Sequence, residues 1–319
     1  MDQAGQRHAH GYLDRDHSIS RNPQLREKRA GLRAGVRAAA ADTQPYVTCP
    51  RGGGALIVLT DIGVNLLHTQ LADDLDGVLE RARSAGVDRL MITATNLDEA
   101  RRAIALCDSH GPGLWCTAGI HPHDAKQAQP GWQGRLSELA GHHRVTAIGE
   151  TGLDFNRNFS PPAVQRAVFV EQLAVAAELG KPVFVHERDT DGEVASLLAE
   201  FAPKLPGAVV HCFTGSAADL RAYLEAGFYI GITGWVTERK RGAALRELVR
   251  KIPLERLLVE TDAPFLRPQN APTTMHRRNE PALLRYVVAQ LAELYSCSTS
   301  ELAEVTSRNA TELFRLNDK

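Results

Sequence analysis

From Leu56 onward, short apolar runs rich in β-branched residues alternate with longer stretches of helical period. The runs are Leu56–Thr60, Arg89–Thr93, Leu114–Ala118, Val145–Gly149, Pro182–Val185, Ala208–Val210, Phe228–Ile232 and Leu257–Glu260. Between them lie helical patterns such as Asp74–Ala85, Asp98–Ser109, Ala163–Leu179, Val194–Phe201, Ala217–Ala226 and Ala243–Arg250. Gly86, Gly180 and Gly227 stand just before the next run, where a helix C-cap belongs. Runs that are apolar throughout, rather than alternating, mark strands buried on both faces, and this predicts a parallel sheet covered by helices. Eight strand–helix alternations give an α/β fold of the (β/α)8 TIM-barrel type. An open doubly wound sheet would carry a glycine-rich phosphate turn after an early strand, but strand one runs into Asp61-Ile62-Gly63-Val64-Asn65. After strand eight, Glu280–Glu293 is expected to close the barrel and Thr299–Leu316 to form one or two short helices.

Residues 1–54 follow a different pattern: rich in Arg, Ala, Gly and His, without a strand signal, and ending in Gly52-Gly53-Gly54. Their apolar content is too low for a core, so a disordered extension is expected there, with the hydrolase domain over 55–319. Asp14, Asp16 and Glu27 argue against a transit peptide, and the opening residues contain no apolar stretch of the kind a secretory leader has. No apolar run approaches the ~20 residues that span a bilayer, so no membrane association is expected. The five cysteines form no CxxC pair and their odd number suits free thiols, which points to a reducing cytoplasm. A net charge of −1 excludes a generic polyanion binder, so any attraction to nucleic acid must be local to one cleft. Nothing calls for a protein partner, and a monomer is expected.

The chemistry lies in where the polar residues fall. Asp61, His121, His123, Glu150, His186, His211 and Asp262 each follow an apolar run, at the strand ends that converge on one mouth of a TIM barrel. A single histidine there is an ordinary loop residue, but a full set at one end points to a metal site. Two imidazoles and two carboxylates suit Zn²⁺, Mn²⁺ or Mg²⁺. Such an ion lowers the pKa of a water, polarises a phosphoryl oxygen and offsets charge in the transition state.

These residues sit in strings that resemble the TatD-type deoxyribonucleases: TAGIHPHD (117–124), AIGETGLDFNRNFSPP (147–162), VFVHERD (183–189), HCFTG (211–215), ETDAPFLRP (260–268) and RRNEP (277–281). The strings DIGVNL (61–66) and YIGITGWV (229–236) resemble the TatD branch itself, and the likeness runs from about Val58 to Phe314. The resemblance implies that Glu150, His186 and His211 ligate the metal, with Asp262 at the position of the catalytic or metal-contacting aspartate. His121 falls where the family has a histidine near the scissile phosphate. Many relatives carry His-x-His at the end of strand one; here those positions are Gly63 and Asn65. The loss of two nitrogen ligands shifts the expected divalent metal toward Mg²⁺, with Mn²⁺ and Zn²⁺ as alternatives.

The implied reaction is 3′–5′ exonucleolytic hydrolysis of single-stranded DNA, with DNA repair as a plausible setting. Glu150, Asp262 and His121 form the catalytic set, with Asp262 as general base. Arg157, Arg188, Arg278 and Trp235 are the substrate-binding candidates, because guanidinium forks suit phosphate and aromatic faces suit unpaired bases. Lys240, Arg267 and Arg277, with Phe155, Phe213 and Phe265, are the wider set around the mouth. Two alternatives stay open: an amidohydrolase or aminoacyl-tRNA deacylase on the same barrel, and a non-catalytic barrel that binds nucleic acid.

Overall fold

A computed structural model describes residues 58–275 and 277–316. The expected extension over 1–54 lies outside these residues. Eight strands form one parallel sheet in sequential order: β1 (Leu59–Val64), β2 (Val87–Ile92), β3 (Leu114–Ala118), β4 (Val145–Asp154), β5 (Val183–Arg188), β6 (Ala208–Val210), β7 (Tyr229–Ile232) and β8 (Leu257–Val259). The sheet closes where Val64 bridges Ala263, with Asn65 N donating to Ala263 O and Asp262 N to Gly63 O, each at 2.8 Å. This is the (β/α)8 barrel expected from the sequence.

The helices are α1 (Thr69–Ala72), α2 (Leu75–Ser84), α3 (Leu97–His110), α4 (Trp132–Ala140), α5 (Pro162–Leu179), α6 (Glu193–Phe201), α7 (Ala217–Glu225), α8 (Gly242–Val249), α9 (Leu284–Tyr295) and α10 (Thr299–Phe314). Asn96, Ser216 and Ser298 cap α3, α7 and α10 through their side chains, which satisfies N–H groups that a helix start leaves without partners. Thr299–Leu316 resolves into the single helix α10, and a 3₁₀ turn (Pro281–Leu283) precedes α9. Among the described residues no helix is long and apolar enough to cross a membrane, and the four cysteines there carry no disulfide.

Two apolar layers hold the fold. The larger lies between strands and helices. The smaller fills the barrel with one side chain per strand: Ile62, Met91, Trp115, Ala147, Phe184, Val209, Tyr229 and Leu258. Ala310, Leu313 and Phe314 of α10 join this inner layer and stop the end of the barrel opposite the mouth. Strand side chains alternate in direction, so two residues beyond Phe184, Val209 and Leu258 the chain again faces inward. Those positions are His186, His211 and Glu260. The inner core thus aims the next layer of side chains into the mouth.

Three strands run further than the apolar pattern indicated: β5 reaches Arg188 instead of Val185, and β1 and β4 are also longer at their C-terminal ends. β1 begins later and reaches Val64, and β4 continues to Asp154. In β1 and β4 the added residues include buried carboxylates that find partners. Asp61 sits fully buried inside β1, accepting from Gly63 N (3.2 Å) and from Thr261 N (2.9 Å). β4 keeps pairing with β5 from Thr151↔Val185 to Asp154↔Arg188. Apolar periodicity cannot see strands whose polar residues are paired inside a barrel.

Candidate metal centre and active site

The mouth is built around Glu150. Its Oε1 lies 2.7 Å from His211 Nε2, 2.9 Å from His186 Nδ1 and 3.3 Å from His121 Nε2. Strands β4, β5 and β6 and the turn after β3 therefore bring these four predicted residues together. Ligand atoms of His121, Glu150 and His186 all lie within 4.8 Å of one another. Burial alone would raise the Glu150 pKa, but the charges of His211 and His121 and the contacts with His121 and His186 outweigh it and hold the carboxyl well below its usual range. Burial and the neighbouring His186 and His123 push His121 down to about 4, against the pull of Glu150. The same carboxylate raises His211, whose burial acts in the opposite direction.

A further acid that sequence reasoning passed over supports this side. Asp154 Oδ2 lies 2.7 Å from His123 Nε2 and 3.4 Å from His186 Nε2, while Oδ1 accepts from Asn156 N (3.0 Å) and Arg157 N (2.9 Å). Burial opposes its ionisation, yet the contacts with His123 and His186 keep it well below the ordinary carboxylate range. His123 is therefore held by Asp154 and is absent from the group around Glu150.

Asp262 occupies the other side, beyond β8. Its Oδ1 accepts from Asn65 Nδ2 (3.0 Å), and Asn65 Oδ1 in turn accepts from Thr93 Oγ1 (2.9 Å). Burial, reinforced by the charges of Glu150 and Glu260 and relieved by His211 and Asn65, pushes Asp262 up to about 7. Asn65, which seemed a weak replacement for a ligand, instead orients this carboxyl.

Glu260 is the second acid the sequence reading missed, although it stands two residues before Asp262 in the same string. It is fully buried; Oε1 accepts from Cys212 N, and Oε2 lies 3.5 Å from His211 Nδ1. A Cβ on Gly63 would come within 2.4 Å of Glu260 Oε2, and one on Gly231 within 2.7 Å of Oε1. The glycine at the first His-x-His position thus leaves room for the carboxylate in its observed place.

The donor set fits a cation. His186 Nε2, His211 Nδ1 and Glu260 Oε2 are buried without a hydrogen bond of good geometry. They are the far side of the site: His186 Nε2 faces Asp154 Oδ2 at 3.4 Å and His211 Nδ1 faces Glu260 Oε2 at 3.5 Å, which orients the rings so that His186 Nδ1 and His211 Nε2, the nitrogens against Glu150 Oε1, are the ones a cation would take. Asp61 stays apart, locked to Thr261 and pushed up to about 7 by burial.

The substrate-binding candidates are scattered. Arg188 ends β5, with Nη1 donating to Thr214 Oγ1 at 3.2 Å. Arg157 is exposed on the β4–α5 loop, and Trp235 packs partly buried against the core in a 3₁₀ turn after β7. Arg278 has a different setting: its nitrogens donate to Asp74 Oδ2 (2.9 Å), Glu280 Oε1 (2.9 Å) and the Gln70 carbonyl. It fastens the segment before α9 onto the α1–α2 region. Of the wider aromatic set, Phe213 is buried and Phe155 lies under the Arg166 guanidinium.

Comparison with known proteins decides the family, because residues 60–315 match the family described as TatD related DNase. The chain belongs to that family. Among relatives, the 3′–5′ ssDNA/RNA exonuclease TatD of Escherichia fergusonii is 48 % identical over 258 residues, covering 81 % of this chain and 99 % of the relative. The protein of the same name from Edwardsiella piscicida is 47 % identical over 259 residues, covering 81 % of this chain and all of the relative (100 %). Among solved structures, the TatD homologue YJJV of Escherichia coli K12 aligns with TM-score 0.75 at 28 % identity, covering 82 % of this chain and 100 % of that one. A TatD-family hydrolase from Entamoeba histolytica shares the fold at TM-score 0.74 and 24 % identity, covering 82 % of this chain and 100 % of that one. This TatD-family chain thus joins a barrel mouth rich in imidazole and carboxylate to a family of nucleases.

Proposed function

We propose that the protein is a divalent-metal-dependent 3′–5′ exonuclease that hydrolyses phosphodiester bonds of single-stranded DNA. The observation that carries this reading is Glu150 Oε1 in contact with three imidazoles, two of them backed by the buried carboxylates Asp154 and Glu260. Its relatives' name, which includes RNA, supports the substrate class. In this reading Glu150, His186, His211 and Asp262 hold the ion. Mg²⁺ is the first choice, because Gly63 and Asn65 withhold two nitrogen ligands while Glu150 and Asp262 supply oxygens; Mn²⁺ and Zn²⁺ are the alternatives.

When bound, the ion polarises the phosphoryl oxygen and lowers the pKa of a water. Asp262, as the carboxylate, takes a proton from the attacking water. Asn65 aims that carboxyl. His121, kept neutral by burial, hydrogen-bonds a phosphate oxygen or the leaving oxygen. Glu260 orients the His211 ring from behind, as carboxylates do for ligating histidines. Arg157 and Arg188 at the rim attract the phosphate chain, and Trp235 borders it. Arg278, committed to Asp74 and Glu280, has a fastening role. Trimming of 3′ ends during DNA repair in a reducing cytoplasm is the setting we propose.

The test is gel-resolved cleavage of 5′-labelled single-stranded DNA and RNA by metal-stripped protein with Mg²⁺, Mn²⁺ or Zn²⁺ restored, beside Glu150→Gln. A metal-dependent ladder shortening from the 3′ end, absent in the variant, is expected. Intact strands with every metal, from folded protein, would overturn the reading and direct the search to ester and amide substrates.

A further inference from the structure

Among the described residues the most solvent-exposed large apolar side chain lies beside the candidate centre. Among the described residues only Phe159 (51 % exposed) and Leu179 (36 %) are large hydrophobics left in water. Leu179 ends α5, whereas the Phe159 ring stands nearly perpendicular to His123, with centroids 4.8 Å apart and planes at 77°. His123 in turn packs against His121 at 4.3 Å, so Phe159 is two ring contacts from the Glu150 group. That contact covers only part of the ring, and about half of the residue stays in water, where a ligand can reach it.

The loop that carries it is fastened at both ends. Asp154 Oδ1 accepts from Asn156 N and Arg157 N, and Asn158, in the left-handed region at φ 50°, donates from Nδ2 to Phe155 O (2.7 Å). On the far side Ser160 is fully buried; its hydroxyl donates to His123 O (2.8 Å) and accepts from Lys126 N (3.0 Å). Gln165 closes the loop by donating to the carbonyls of Ser160 (2.8 Å) and Asp154 (3.1 Å). A loop fixed in this way holds its aromatic ring in place instead of letting it collapse onto the surface. The aromatic residues considered from the sequence are less exposed: Phe213 is 2 % exposed, Phe155 lies 4.8 Å beneath Arg166, Phe265 meets His68 edge-on at 5.3 Å, and Trp235 is partly buried against the core.

We infer that Phe159 is a positioning residue whose exposed ring stacks on a nucleobase next to the scissile phosphate, so that the enzyme selects unpaired, base-bearing strand ends. The inference rests on the nuclease reading and adds a base-recognition element to it. Every base offers a π face, so the selection is for an unstacked base and not for sequence. A base held in duplex stacking cannot offer that face, which favours single strands.

The test compares 5′-labelled oligonucleotides bearing normal bases with ones made abasic at the 3′-terminal or penultimate nucleotide. The enzymes are wild type, Phe159→Ala, Phe159→Leu and Phe159→Tyr, and thermal melting confirms that each is folded. Wild type is expected to prefer the base-bearing strand over one of the abasic strands by about 5- to 100-fold in kcat/KM, mostly through KM. Phe159→Ala should abolish that preference, Phe159→Tyr restore it, and Phe159→Leu fail to restore it. Preference retained in the Ala variant, restoration by Leu, or a loss confined to kcat would overturn the inference. Fluorescence anisotropy with metal-stripped protein reads the same base-bearing to abasic ratio without turnover. Failure of cleavage and failure of stacking are therefore separate results.

Discussion

The two sides of the barrel mouth use their polar atoms in opposite ways. On the β3–β5 side, His121, Glu150 and His186 turn toward one another, and Asp154 supports His186 from behind. On the β8–β1 side, Asp61 is committed to Thr261 and Gly63, Asn65 joins Thr93 to Asp262, and Glu260 accepts from the Cys212 backbone. The first side brings together side chains that could hold an ion; the second holds acids in place with amide and hydroxyl groups. His211 links them, with Nε2 at 2.7 Å from Glu150 and Nδ1 at 3.5 Å from Glu260. The contrast shows how one mouth can turn imidazoles and a carboxylate toward one another on one half while tying acids to amide and hydroxyl groups on the other. The carboxyls differ accordingly: Glu150 is held low by cationic neighbours, whereas Asp61 and Asp262 are pushed up by burial and nearby acids.

The largest expected effect breaks the first side. Glu150→Gln should lower kcat by at least about 10⁴-fold and weaken divalent-ion binding in calorimetry, since it removes the carboxylate all three imidazoles face. An active Gln variant would move the centre elsewhere.

On the second side, Asp262→Asn is expected to cost about 10³-fold in kcat while leaving ion binding measurable. Because the Asp262 pKa is raised to about 7, the base form is lost as pH falls through that value, so wild-type activity should fall below pH 7. Rising ion concentration should move that limb to lower pH, because a nearby cation favours the carboxylate. A limb that persists in the Asn variant would assign the proton to another group.

Asp61 tests the same side through stability. Its folded pKa of about 7 exceeds the unfolded value of 3.8, so folding favours the protonated form. The associated stabilisation is full below about pH 4 and is lost as pH rises through 7. At about 1.4 kcal/mol per unit, the loss amounts to at most about 4 kcal/mol. Urea unfolding at pH 4 to 8 should show wild type losing stability relative to Asp61→Asn; parallel curves would mean that Asp61 ionises as an ordinary carboxyl.

Smaller effects probe the link between the sides. Glu260→Gln should cost roughly 10- to 100-fold in ion affinity or activity, as loss of a ligand's orienting carboxylate does. Gly63→Ala, whose Cβ would press on Glu260 Oε2, should cost about 10-fold and add little in the Glu260→Gln background. Full additivity of the two would show that Gly63 serves some other purpose.

The sequence by itself determined the barrel and the identity of most of the mouth. Apolar runs separated by helical periods leave few other ways to bury strands on both faces, and parallel strands put their ends at one mouth. That logic brought Glu150, His186, His211 and His121 together before any contact was known. The tertiary structure decided the rest, because it depends on which buried polar atoms find partners across the barrel. β1 and β4 extend through Asp61 and Asp154 only because Thr261, Gly63, His123 and backbone amides receive those carboxylates. Glu260 faces the centre because Gly63 and Gly231 leave it space, a relation between three strands that no local pattern carries. Arg278 looked like a phosphate ligand but lies between Asp74 and Glu280, far away in sequence or hidden in the same motif. Phe159 was not among the aromatic candidates of the sequence, and only the loop fixed by Ser160 and Gln165 shows its ring in water beside the imidazoles. Residue type and period fix which elements form, whereas hydrogen-bond partners and free volume, which are pairwise and long-range, fix what each side chain can do.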